Sequence, residues 1–296
     1  MGNTCCTDEN KEDTNTKVSG SMMNTKKQLQ EHYDESMMPS TKPTDSHAPS
    51  AGDAILVDKM NACAPYPAAV GPLDLSKYEA DFKQYPVLGP YKYPSGATYQ
   101  GQYKHGRRHG KGKQVWLDGT VYEGIWRDDE CSDFGRYASP KGDVFEGEWK
   151  DSKQDGKGKE YWADGTVFTG MFKDALKNGK GTFCWANGST FEGDFLDNEI
   201  SGMGVYKWKD GRRYEGQWKS NKMNGKGVFT WPDGKKYTGE YVEDKKQGYG
   251  EFHYTDGKIF KGNWLEGKQS GEGEMYDPAS GTRRGVWKDG KLLKWQ

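Results

Sequence analysis

Eight ring residues stand 23 positions apart along this chain: Tyr99, Tyr122, Phe145, Phe168, Phe191, Tyr214, Tyr237 and Phe260. Two positions after each head is a glycine: Gly101, Gly124, Gly147, Gly170, Gly193, Gly216, Gly239 and Gly262. Four after it is a second ring: Tyr103, Trp126, Trp149, Phe172, Phe195, Trp218, Tyr241 and Trp264. Position +13 is glycine throughout, from Gly112 to Gly273, and position +20 is glycine from Gly119 to Gly257. A period this regular, with no insertion or deletion, marks a stack of small supersecondary units that bury their apolar faces only against one another. The tryptophans fix the register. Ten of the eleven fall at +4 or +17, and only Trp295 is out of phase.

Each unit reads as a β-hairpin: a strand around the head, a glycine-bearing loop, a second strand, and an Asp-Gly or Asn-Gly turn into the next unit. Side chains alternate faces along a strand. The head, the +2 glycine and the +4 ring therefore share one face, and +13, +15 and +17 share one face of the second strand. A strand glycine costs about 0.5–1 kcal/mol relative to alanine. Rings lying flat across the bare backbone compensate, because aromatic pairs contribute about 0.5–1.5 kcal/mol beyond their buried area. Glu146, Glu148, Lys150, Lys157 and Lys159 fall on the opposite, solvated face. The predicted fold is all-β: an elongated, single, twisted antiparallel sheet of tandem 23-residue hairpins. At about 4.8 Å per strand, two strands per unit give a ribbon of roughly 80 Å.

The pattern, clearest in YEGQWKSNKMNGKGVFTWPDG, resembles the MORN repeat (membrane occupation and recognition nexus) over about two-thirds of the chain. A half-unit precedes the first head, with Gly89, Tyr91, Tyr93 and Gly96 at +13, +15, +17 and +20. The end decays: Ser280 replaces the turn glycine, and a partial ninth unit has Arg283 for its head but keeps Gly285 and Trp287. Repeat two departs at Asp129 and Asp133, where repeat one has Gly106 and Gly110. The domain reading is therefore a tail over 1–70, a helical lead-in over 71–88, and repeats over 89–296. The resemblance implies a structural protein at membrane–cytoskeleton junctions or in ciliary and flagellar axonemes, similar to radial spoke head proteins, with cytoskeletal, axonemal or homodimeric partners.

Residues 1–70 contain no Trp and no Phe and are rich in Ser, Thr, Asp, Asn and Lys, a composition that predicts a disordered tail. NTKKQLQEHYDE (24–35) reads as a short helix against a partner, and DLSKYEADFKQY (74–85) as an amphipathic helix capped by Asp74 or Ser76. The chain opens MGNTCC. Gly2 fits an N-myristoylation acceptor, although position 6 is Cys where Ser or Thr is preferred. One myristoyl chain binds membranes only marginally, so a second signal is needed. Nearby Asp8, Glu9, Glu12 and Asp13 remove a polybasic one, which leaves palmitoylation at Cys5 and Cys6. The expected location is cytoplasmic, at the inner face of a membrane or in a cilium or flagellum.

The remaining chemistry is sparse. Net charge is −1, so no strong field favours nucleic acid. The five cysteines are scattered without metal spacing and point to a reducing compartment. GxxxxG recurs only because +20 and the next +2 are five apart, and the lysine of a phosphate loop never follows. His105 and His109 read as exposed loop histidines. These features predict no enzyme, no cofactor, no metal and no small-molecule substrate. KHGRRHGKGK places Lys104, Arg107, Arg108, Lys111 and Lys113 together without an acid, and Arg283 and Arg284 open a basic C-terminal stretch. Both are candidates for anionic lipid or partner contact, at about 1 kcal/mol per basic residue near a surface. Against lipid stands the acidic loop RDDECSDFG one unit away, whose Asp128, Asp129, Glu130 and Asp133 favour loop-to-loop compensation. A regulatory phosphoinositide module for a separate lipid kinase is the reading those loops would otherwise suggest.

Overall fold

The computed structural model describes residues 71–296. The tail, with Gly2, Cys5, Cys6 and the helix expected over 24–35, lies outside the described residues. Two compact units divide the described chain, residues 71–198 and Glu199–Gln296. The first holds β1 (Val87–Lys92), β2 (Thr98–Lys104), β3 (Arg107–Val115), β4 (Val121–Arg127), β5 (Glu130–Ala138), β6 (Val144–Lys150), β7 (Lys153–Tyr161), β8 (Val167–Lys173), β9 (Leu176–Cys184) and β10 (Thr190–Leu196). The second holds β11 (Glu199–Lys207), β12 (Arg213–Lys219), β13 (Lys222–Thr230), β14 (Lys236–Val242), β15 (Lys245–His253), β16 (Ile259–Leu265), β17 (Lys268–Asp277), β18 (Gly281–Lys288) and β19 (Lys291–Trp295). Within each unit every strand pairs antiparallel with its chain neighbours, as in Gly101↔Gly112, Gly112↔Gly124 and Gly216↔Gly227.

Glycine pairs of this kind are the floor on which the head rings lie. A Cβ on Gly227 would sit 2.4 Å from the Tyr214 ring, and one on Gly216 would sit 2.6 Å from the Gly227 Cα. The heads thus lie across the glycines as expected. The +4 rings do something different: they stand nearly perpendicular to the heads. Tyr122 meets Trp126 at 84° and Trp149 at 87°, and Tyr214 meets Trp218 at 89° and Tyr241 at 84°. Within the units, Tyr99, Tyr122, Phe145, Phe168, Tyr214, Tyr237 and Phe260 are each gripped by the +4 rings of their own and the following repeat, which is the edge-to-face geometry that ring quadrupoles favour. Polar tips are satisfied as well. The Tyr99, Tyr122 and Tyr214 hydroxyls donate to the carbonyls three residues on, at 3.1, 3.1 and 3.0 Å. Trp126, Trp149 and Trp218 Nε1 donate to glycine carbonyls of the preceding strand at 3.2, 3.1 and 3.2 Å. Burial accordingly raises the tyrosine pKa values above their ordinary range.

The loop inside each hairpin departs from expectation. It is a two-residue turn with positive φ at both positions, but only repeats one and eight and the partial ninth use glycine there (Gly106, Gly267, Gly290). The others place Asp129, Ser152, Ala175, Asn198, Asn221 and Asp244 at +7, all with positive φ. A left-handed backbone is costly for most side chains, and here bonds between repeats offset it. The +7 amide donates to the +9 carbonyl of the preceding repeat, as in Asn198 to Lys177 and Asp244 to Met223, both 3.0 Å. The +7 side chain accepts the returning +9 amide: Lys177 N to Asn198 Oδ1 is 2.8 Å, Ile200 N to Asn221 Oδ1 is 2.7 Å, and Met223 N to Asp244 Oδ1 is 2.7 Å.

Between +2 and +4 the register slips, and position +11 absorbs the extra residues with positive φ. Glycine holds +11 in every full repeat but the second, where Asp133 adopts φ 55° and its carboxylate pairs with Arg127 at 2.6 Å. The bulge buries +9 among the rings. Lys177 is held there by Glu160 at 2.7 Å, with its ammonium 4.9 Å from the Trp162 ring centre.

Candidate functional site

The ring face is closed to partners. The heads and the +4 tryptophans are buried throughout. What remains for recognition is the sheet face that carries +1, +3, +12 and +14. On repeats one and two it is already occupied by the chain's own lead-in.

That lead-in is shorter than the helix expected over 74–85. It is a 3-10 turn (Ser76–Tyr78) followed by α1 (Glu79–Phe82). Asp74 Oδ1 does accept the Ser76 amide at 2.9 Å, and this bond holds the Asp74 carboxyl below its usual pKa range. The helix stops because Gln102, at +3 of repeat one, takes the exit carbonyls: its amide donates to Phe82 O at 2.7 Å and Tyr85 O at 3.0 Å. Pro86 also disfavours a helical Tyr85. Leu73, Leu75 and Phe82 pack on Ile125, with Tyr78, Tyr85 and Phe134 alongside. Ile125 and Phe134 are the +3 and +12 residues of repeat two. Repeat two thus builds an apolar seat where repeats one, three and six carry Gln or Glu against Lys (Gln102/Lys111, Glu148/Lys157 and Gln217/Lys226).

His109 is a correction to the sequence reading. It is buried, not exposed, between the Phe82 and Tyr85 rings at 5.7 and 4.9 Å, and Asp128 N donates to its Nδ1 at 3.2 Å. Burial lowers its pKa, so it sits neutral at pH 7. His105 is the exposed member of the pair, on the tight turn.

The basic loop is divided by the fold. Arg108 turns onto repeat two: Nε lies 3.1 Å from Asp129 Oδ1, Nη2 donates to Asp129 O at 2.8 Å, and the guanidinium stacks 4.2 Å from the Trp126 ring. Lys111 reaches only 3.9 Å from Glu79, and Lys104 lies 6.0 Å from the Tyr85 ring. Arg107 and Lys113 are exposed. At the other end Arg283 stacks 4.2 Å from Trp295, and Arg284 pairs with Glu274 at 2.9 Å. These cations do not converge on one point.

Nothing in the described residues assembles a nucleophile with a base. The one free thiol among them, Cys131, is buried and its pKa is pushed up to about 12, so it is not a thiolate at neutral pH. Among the described residues no group of three His, Cys, Asp or Glu is placed to hold a metal, and no helix is long and apolar enough to cross a membrane.

Gln102 bridges three backbone groups on this face, since its Oε1 also accepts Lys111 N at 2.7 Å. Gln217 is its equivalent in the second unit and holds only Lys226 N, at 2.7 Å. Gln102→Ala is expected to cost about 1–2 kcal/mol and Gln217→Ala under about 1 kcal/mol, since buried groups left unpaired cost more than exposed ones. Urea unfolding of the two variants checks this.

A family model for the MORN repeat matches residues 99–121, 122–144, 145–167, 168–190, 191–212, 214–236, 237–259 and 260–282. No curated relative matches by sequence. Among solved structures, the chain is similar to the TCP10 domain of Danio rerio CPAP in complex with a STIL peptide, at 12% identity and TM-score 0.40, covering 70% of this chain and 97% of that one. It is also similar to the CPAP G-box domain, at 13% identity and TM-score 0.39, covering 68% and 99%, and to virginiamycin B lyase from Staphylococcus aureus, at 11% and 0.15, covering 69% and 85%. Likenesses this remote carry no argument about function.

Proposed function

The chain belongs to the MORN repeat family, by eight consecutive matches over residues 99–282, and on that premise we propose that it is a non-enzymatic scaffold that assembles other proteins at the cytoplasmic face of a membrane. Its tether is Gly2 with Cys5 and Cys6, and its working surface is the +1/+3/+12/+14 face. The observation that carries the scaffold reading is the division of the sheet. One face is spent on ring-on-glycine packing, while the other repeats a polar pattern at fixed spacing and already seats an apolar segment on repeats one and two. Fixed repetition with a solvated face suits presenting partners in register more than turning over a substrate. The tether rests on MGNTCC and on the two-signal requirement for stable anchoring. A membrane–cytoskeleton junction or a ciliary membrane is the setting we assign.

Fractionation tests this reading. The parent chain is expected in the membrane pellet and released by mild detergent. A Gly2→Ala, Cys5→Ser, Cys6→Ser variant is expected in the soluble fraction. If the variant fractionates and localises like the parent, the tether is wrong. A detergent-resistant pool of both chains would point instead to an untethered axonemal component.

A further inference from the structure

Position +8, the first residue of the returning strand, is lysine in four consecutive hairpins of the second unit: Lys222, Lys245, Lys268 and Lys291. Each lies beside the +5 residue of its own hairpin, which is Lys219, Val242, Leu265 and Lys288 in turn. Side chains alternate along a strand, so +5 shares the face of +1 and +3, opposite the rings. Val242 and Leu265 are 50% and 54% exposed there. The margin by the inner turns thus carries a cation at every step, with two bare apolar side chains between basic ends. The first unit lacks this regularity: its +8 residues are Arg107, Glu130, Lys153 and Leu176.

Three observations say what this row fits. Lys219, Lys268, Lys288 and Lys291 enter no ion pair among the described residues, so they are free to meet carboxylates from outside. The row is also narrow. On its outer side stand the turn acids, with Glu243 paired to Lys222 at 3.1 Å and Glu266 paired to Lys245. On its inner side stand the exposed Glu215, Glu240 and Glu272. A flat anionic membrane pressed on this face meets both lines of acids, whereas a rod about 10 Å wide, the width of a helix, touches the row between them. Finally, the first unit already holds a short helix at the same margin. The +5 cations Arg127 and Lys104 lie 5.2 and 6.0 Å from the Phe82 and Tyr85 rings of the lead-in, whose α1 carries Glu79 and Asp81.

We propose that the +5/+8 row of the second unit seats an acidic amphipathic helix of a partner protein. Seven helical residues rise about 10.5 Å, and one repeat advances about 9.6 Å. A heptad-spaced stripe therefore keeps step with the row to within about 1 Å per repeat, which flexible lysine stems absorb. The stripe has carboxylates at its two ends against Lys219 and Lys288 and two apolar residues between them against Val242 and Leu265. Further carboxylates beside the stripe face the +8 lysines. That a protein occupies this face rests on the scaffold reading above, but nothing in the row depends on the tether.

The test uses the full chain and two synthetic peptides of one composition as probes. One is a helix with Glu, Leu, Leu and Glu at heptad spacing and further Glu along the adjoining stripe, and the other is its scramble. Fluorescence anisotropy at physiological salt is expected to show the heptad peptide bound about tenfold more tightly than the scramble. Lys268→Glu with Lys288→Glu should weaken it about tenfold, as charge reversal across a contact does. Lys150→Glu with Lys173→Glu, the same charge change at +5 of the first unit, should leave binding within about twofold. Equal affinity for the two peptides, equal loss in the two double variants, or no binding at about 1 mM peptide would overturn the proposal. Fractionation of the acylation variant would still decide the tethered scaffold separately. Phosphatidylserine vesicles held by the parent and lost by Lys268→Glu with Lys288→Glu, without peptide binding, would assign the row to lipid and overturn the helix. Should that double variant fail to fold, crosslinking the heptad peptide to the parent decides in its place. Adducts at Lys245 or Lys268 support the proposal, and adducts confined to the first unit overturn it.

Discussion

Gly227→Ala is expected to destabilise the protein by about 2–4 kcal/mol, a large effect for one added methyl group. Overpacking a filled core commonly costs about 1–3 kcal/mol and sometimes more, and this site has little room to yield. The new Cβ would stand 2.4 Å from the Tyr214 ring. That ring cannot lift, because Trp218 and Tyr241 hold it edge-on with centroids at 5.1 and 5.2 Å. Its hydroxyl is also bonded to Gln217 O. A propensity argument alone gives the opposite sign, since alanine is the better strand residue. Denaturant unfolding separates the two. A double-mutant cycle sharpens the result: in a Tyr214→Ala background the same glycine substitution should be neutral or slightly stabilising, with a coupling of about 2 kcal/mol or more. Loss of the Tyr214 hydroxyl alone, in Tyr214→Phe, is a mild control, because Phe145, Phe168, Phe191 and Phe260 are heads of this kind.

Asp244→Asn is the second large effect, in the stabilising direction at neutral pH. Asp244 is buried at a +7 turn position, and burial raises its pKa from 3.8 to about 6 even though the Met223 amide bond opposes the rise. The folded state therefore binds this proton more tightly than the unfolded chain does. Its favourable contribution is complete below about pH 4 and is lost as pH rises through 6, where a buried carboxylate must carry charge. A shift near two units corresponds to at most about 3 kcal/mol. Asparagine keeps the acceptor for Met223 N without the charge, as Asn198 and Asn221 do at the same position. The variant should gain about 1–3 kcal/mol at pH 7–8 and little at pH 4. Stability of the parent should fall between pH 4 and 6 relative to the variant. Urea midpoints at both ends of that range check the sign.

The sequence showed the period, the hairpin, the shared face of head and +2 glycine, and the half-unit now seen as β1, because each is a local consequence of alternation repeated eight times. The left-handed residues at +7 of the inner turns are not legible in the sequence, for a physical reason. Asp and Asn enter a left-handed backbone more readily than other side chains, but Ser152 and Ala175 do not, and what all of them share is a bond to a residue 21 positions earlier. The signal lay in pairs such as Ile200/Asn221 and Met223/Asp244 at constant separation, but position +9 shows no common chemistry: Arg108, Cys131, Lys177 and Gln269 all occupy it. Only the bulge, which is a property of strand pairing, turns that position inward. Repeat two stands out in the sequence at Asp129 and Asp133, whereas Ile125 and Phe134, which seat the lead-in, carry no signal until the lead-in is seen on them. His109 was misplaced for the same reason, since its cover comes from residues more than 20 positions upstream.

This division of labour also decides which surface stays open to solvent. Rings that are buried against glycine and against each other cannot serve as a docking pavement. The polar face is the one left open to solvent, and the first unit's share of it is reduced by the lead-in. The second unit, with exposed Met203 and Tyr249 at +12 among charged neighbours, offers the more open stretch.

The most direct test of a tethered scaffold is the intact mass of the N-terminal peptide from the native protein. The predicted result is Gly2 exposed by loss of Met1 and carrying a myristoyl group, with palmitoyl on Cys5, Cys6 or both. An unacylated Gly2 with both thiols unmodified would contradict it.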